Sequence, residues 1–159
     1  MQLWCTYAWF VQVALITPKT KVAPIKKLTI PWLELCGAHW LSQLLQHLWE
    51  VFNLSLAQSY AWTDSTIVLS WLNGDPRRFK TYVCNRVSNI IELIGPDHWR
   101  HVSGAENPAD CTSRGLFPSE LLIHDLWWNG PDWLKSPSSD WPSVAVSYTH
   151  LTLPTKRIV

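Results

Sequence analysis

The chain has 159 residues, 47% of them hydrophobic and 16% charged, which suffices for one domain with a proper core and argues against general disorder. Its formal net charge of +1 points neither toward nor away from a polyanionic partner, so charge placement says more than the sum. Four widely spaced cysteines without a CxxC pair read as reduced thiols.

The N-terminus, Met1-Gln2-Leu3-Trp4-Cys5, lacks a basic leader followed by an apolar stretch, so no signal peptide is evident. No apolar run reaches membrane-spanning length. From about Tyr7 to Ile16 the residues are apolar β-formers and read as a buried strand, with Thr17-Pro18-Lys19-Thr20 as a turn or strand end. Lys21 to Lys27 reads as extended and basic, and Pro24 disfavours a central strand there.

Thr29-Ile30-Pro31 opens the clearest helix, with a cap near Thr29 and Pro31 suited to the first turn. Apolar residues at Trp40, Leu41, Leu44, Leu45, Leu48, Val51 and Phe52 keep the three-four spacing of one buried stripe to about Phe52. Glu34 is expected in the first turn, near the positive end of the helix dipole. Ser59 to Thr63 reads as a short strand with Asp64 at its carboxyl end. Ser65 to Leu72 then reads as a helix stopped by Asn73-Gly74-Asp75-Pro76.

A basic stretch, Arg77-Arg78-Phe79-Lys80, leads into a helix whose stripe is Val83, Val87, Ile90, Ile91 and Ile94, ended by Gly95-Pro96. Trp99 to Val102 reads as a strand. A last short helix follows, with Asn107 as cap and Pro108 at its first position. The order of elements indicates a mixed α/β layer. From Leu116 to Pro142 the pattern breaks into Trp, Pro and Ser, reading as a linker with short helical pieces such as Ser119 to Leu126.

Three carboxylates on separate elements, Glu34, Asp64 and Asp110, suggest one divalent-metal site. Magnesium-type ions take hard oxygen ligands, usually one or two carboxylates per ion. Two ions held about 4 Å apart activate a water and stabilise the leaving oxygen of an in-line displacement. Each acid also suits a plainer role, since Asp64 could cap a helix and Glu34 and Asp110 could sit in first turns for dipole reasons. For zinc, His98, His101 and Cys111 lack a fourth ligand at finger-like spacing. Asp64-Ser65-Thr66 superficially resembles the Asp-Ser-Gly triplet of aspartic peptidases. That turn needs glycine, however, and Thr66 is β-branched and leads into a helix.

The residues flanking the acids carry a resemblance. Ile30-Pro31-Trp32-Leu33-Glu34-Leu35-Cys36-Gly37-Ala38, Trp62-Thr63-Asp64-Ser65-Thr66-Ile67-Val68-Leu69 and Pro76-Arg77-Arg78-Phe79-Lys80-Thr81-Tyr82-Val83 resemble segments of the ribonuclease H-like domain in BEL/Pao-type long-terminal-repeat retrotransposon polyproteins. Asn85-Arg86-Val87, Asn107-Pro108-Ala109-Asp110 and Ser113-Arg114-Gly115 continue it, and the resemblance spans about residues 5 to 142. It implies a ribonuclease H-like fold, a mixed central sheet flanked by helices, with the opening strand truncated or replaced. It also implies two-metal hydrolysis, with Mg2+ or Mn2+, of the RNA strand of RNA–DNA hybrids. Glu34, Asp64 and Asp110 then match the family's catalytic and metal-binding acids.

The resemblance places residues 1–115 in the ribonuclease H-like domain and 116–145 in a Trp/Pro-rich connector toward integrase. Residues 146–159 resemble translated adapter sequence. Implied partners are the hybrid, read by backbone shape and 2′-hydroxyls, and the reverse transcriptase and integrase modules of the same polyprotein. The implied setting is intracellular, a cytoplasmic virus-like particle or the nucleus. Arg77, Arg78, Lys80 and Arg86 are candidate phosphate contacts, against the alternative of a solvated basic helix end.

Two departures stand out. The family's first acid lies on its opening strand, and this chain has no acid before Glu34, so loss of activity is expected. Trp32 stands where similar sequences usually carry arginine. A non-catalytic connector between reverse transcriptase and integrase, with a degenerate metal site, is the competing reading.

Overall fold

The computed structural model describes residues 2–5, 11–25, 28–54 and 59–142. The expected tail at 146–159, Lys26 and Lys27, and residues 7–10 of the strand expected at Tyr7 to Ile16 lie outside the described residues.

Strands β1 (Gln2–Cys5) and β2 (Ala14–Pro18) pair antiparallel, with Trp4 opposite Leu15 and Cys5 opposite Ala14. The strand expected to Ile16 therefore runs on to Pro18, so that Thr17 and Pro18 form the strand end rather than a turn. Helix α1 spans Ile30–Phe52. Pro31 fits its first turn because the N–H it lacks would have had no intrahelical acceptor. Asn53 ends it in the left-handed region at φ 51°, donating its N–H to Trp49 O.

Strand β3 (Ala61–Thr63) passes Asp64 and Ser65 into α2 (Thr66–Leu72), and a 3-10 turn at Pro76–Arg78 leads to α3 (Thr81–Leu93). Strand β4 (Trp99–His101) returns to lie parallel to β3, with Ala61 opposite Trp99 and Thr63 opposite His101. The short α4 (Ala109–Arg114) follows; Pro108 stands at the cap position, where Asn107, one residue earlier, was expected, and Asn107 Oδ1 accepts the Ala109 N–H.

One core joins these elements. Leu35, Ala38, Leu41 and Leu45 of α1 pack with Val68, Leu69 and Leu72 of α2, Val83, Val87 and Ile90 of α3, and Ala61 and Trp99 of the parallel pair. The stripes read from the sequence are buried in part: Leu41 and Leu45 of α1 and Val83, Val87 and Ile90 of α3 are buried, whereas Val51 and Phe52 at the end of α1 are exposed. Gly74 serves this packing by omission, since a Cβ there would meet the Phe79 ring at 2.9 Å. The fold is mixed α/β, as the resemblance implied. The single central sheet is not observed: among the described residues there are two two-stranded sheets, one antiparallel and one parallel, with no ladder between them.

Beyond α4, α5 (Pro118–Leu122) and α6 (Asp125–Asn129) replace the one helical piece expected from Ser119 to Leu126. The following segment folds back: Trp133 and Trp141 lie 5.4 and 5.5 Å from Trp62, and Trp141 meets Tyr60 edge-on at 5.5 Å. No helix among the described residues is long and apolar enough to cross a membrane.

Candidate metal site and nucleic-acid interface

The turn leaving β3 shows how Asp64 is presented. Ser65 N–H donates to Thr63 Oγ1 at 3.1 Å, and Ser65 Oγ accepts the Val68 N–H at 3.2 Å, capping α2. The hydroxyls on either side of Asp64 thus do the local structural work. Asp64 is not the cap, and its half-buried carboxylate has no hydrogen bond or ion pair among the described residues. The plainer reading of Asp64 falls on this point.

Glu34 departs from expectation. Helix α1 starts at Ile30 after Thr29, so Glu34 is its fifth residue and lies past the first turn. Only the first four N–H groups of a helix are unpaired, so the dipole account of Glu34 weakens. Its Oε2 instead accepts a bond from Ser65 Oγ at 2.6 Å, which brings the acid of α1 next to the acid after β3.

Asp110 lies in the first turn of α4, as expected, and its Oδ2 also receives Arg114 Nη2 at 3.0 Å. Gly104 joins the two aspartates. A Cβ built there would lie 3.4 Å from Asp110 Oδ2 and 3.9 Å from Asp64 Oδ2. Gly104 has no positive φ, so its backbone does not require glycine; the missing side chain leaves space between two carboxylates. That cradle suits a hard cation with oxygen ligands. Glu34, Asp64 and Asp110 all line one cleft of about 1660 Å³. Among the described residues no three His, Cys, Asp or Glu side chains close into a ready cation cage. The fit is therefore an Asp64–Asp110 pair around the Gly104 gap, with Glu34 held alongside by Ser65.

The basic residues divide. Arg77 is exposed and engaged by Asp75 at 2.9 Å, which holds the Asp75 carboxyl below its ordinary range. Arg78 and Lys80 are exposed without ion pairs among the described residues. Arg86 lies 3.6 Å over the Tyr82 ring and lines the same cleft as the acids. Tyr82 in turn stacks on Trp32, with ring centroids 4.4 Å apart and planes at 16°. Trp32 thus ties α1 to α3, a role the sequence did not reveal. Cys111 contacts His124, Sγ to Nε2 at 3.4 Å, and burial pushes its thiol pKa up.

Residues 6–65 match the family model described as Pao retrotransposon-like RNaseH-like domain. Over this stretch, 60 of the 159 residues, the chain is similar to a Pao retrotransposon-like, RNase H-like domain. The match takes in Glu34 and Asp64 and ends at Ser65, before the basic stretch and Asp110. No curated protein and no solved structure matches the chain.

Proposed function

We propose that this Pao-type RNase H-like chain binds RNA–DNA hybrid and holds divalent magnesium or manganese at Glu34, Asp64 and Asp110. The supporting observation is the Gly104 gap, flanked by the Oδ2 atoms of Asp64 and Asp110. Bound there, such ions would supply charge stabilisation at the scissile phosphate and an activated water. The chain's own part is to hold the carboxylates. The Thr63-Asp64-Ser65 turn fixes Asp64, α4 carries Asp110, and Arg114 neutralises part of the acid charge until a cation arrives. Arg86, and the exposed Arg78 and Lys80, would meet backbone phosphates of the hybrid.

The test is anisotropy titration of a labelled RNA–DNA hybrid with Mg2+ across a salt series. Binding that falls steeply with salt supports the reading, and replacing Arg78 or Lys80 by alanine should flatten the slope by about one unit each. A slope near zero removes the basic residues from the interface. The second reading, a connector between reverse transcriptase and integrase modules, draws support from Trp133 and Trp141 packing on Trp62. It is favoured if the chain takes up neither hybrid nor metal.

A further inference from the structure

The most economical feature of the site is one hydroxyl. Ser65 is only 5% exposed, and its Oγ accepts the Val68 N–H while donating to Glu34 Oε2 at 2.6 Å. A hydroxyl has one proton to give, and here the carboxylate receives it. Capping α2 needs only the lone pair, so the bond to Glu34 is additional to the cap. The Glu34 carboxylate has no other hydrogen bond or ion pair among the described residues, and its Oε1 has no partner among them. Ser65 also adjoins Asp64 in the chain, so one residue links the second turn of α1 to the turn that presents Asp64.

We propose that Ser65 is a positioning residue, which fixes the Glu34 carboxylate beside Asp64 for cation binding; this rests on the metal-site reading above. An unheld glutamate on a helix samples many rotamers, and ordering it would fall to the cation. Ser65 removes most of that cost in advance, as hydrogen-bond partners of metal ligands commonly do.

Cap and positioning can be separated. Glycine caps a helix nearly as well as serine but has no hydroxyl, whereas threonine keeps the hydroxyl. Mn2+ affinity would be measured by electron paramagnetic resonance for the full chain and for Ser65→Gly and Ser65→Thr. Urea unfolding without metal would be measured for Ser65→Gly, Glu34→Ala and the double variant. Ser65→Gly should weaken Mn2+ binding about tenfold or more, and Ser65→Thr should restore it. The two single changes should be non-additive in the metal-free cycle, because they remove the same contact.

An unchanged Mn2+ affinity in Ser65→Gly overturns the proposal, and so does an additive cycle. Should the unaltered chain take up no Mn2+, the metal reading itself fails. The metal-free cycle then still decides whether Ser65 holds Glu34.

Discussion

Trp32 lies flat on Tyr82, joining the first turn of α1 to the first turn of α3 two residues before Glu34. The stack continues on the far side of Tyr82 through the Arg86 guanidinium, and Tyr82 and Arg86 line the cleft that the acids also line. Trp32→Ala should cost about 2–3 kcal/mol in urea unfolding, since a large, partly buried ring is lost. Trp32→Arg should cost less, because a guanidinium also stacks on an aromatic face. Equal losses for the two would show that area alone, and not stacking, matters here.

Gly104→Ala separates stability from binding. With no positive φ at this position, alanine should leave stability unchanged or raise it by about 0.4–1 kcal/mol through the unfolded chain. The same methyl fills the space between Asp64 and Asp110, so Mn2+ affinity should fall. A variant that binds Mn2+ as before would place the cation elsewhere.

His39 gives a pH dependence. Burial, and then the nearby Arg86 charge, lower its pKa below the ordinary imidazole value of 6.5. The folded protein therefore favours neutral imidazole. The associated stability is complete above 6.5 and is lost as pH falls through the lowered folded value. Thermal melts between pH 7.5 and 5, read as about the imidazole range, should decline more in the parent than in His39→Gln. Parallel curves would remove His39 from the account.

The folded-back segment makes its own prediction. Trp133 packs on Trp62 and, edge-on, on Trp141, so Trp133→Ala should destabilise by about 2–3 kcal/mol. It should also raise the hydrogen-exchange rate of β3 amides. A change confined to residues 132–142 would show a segment that covers β3 without supporting it.

Local signals explain what the sequence made legible. Pro31 and an apolar stripe running to Phe52 mark the two ends of α1, and Val83, Val87 and Ile90 define the buried face of α3. Asp64 at the end of a strand and Asp110 at the start of a helix follow from chain order alone. The remainder depends on contacts distant in sequence. Ser65 meets Glu34 across 31 residues, and Gly104 meets Asp64 across two helices and a strand. No periodicity marks either contact. Strand pairing is similarly non-local: a three-residue β3 carries no register signal that says whether it joins the β1–β2 pair, and among the described residues it pairs with β4 alone. Arg86 looked like one of four equivalent cations, yet only its partner Tyr82, one helical turn earlier, places it at the cleft.

The central claim is that Asp64 and Asp110 share a cation across the space left by Gly104. Mn2+ titration of the chain, followed by electron paramagnetic resonance, tests it most directly. The account predicts saturable uptake that Asp64→Asn and Asp110→Asn each abolish, with the helical content of both variants intact. Uptake unchanged by either substitution, or none by the unaltered chain, would contradict it.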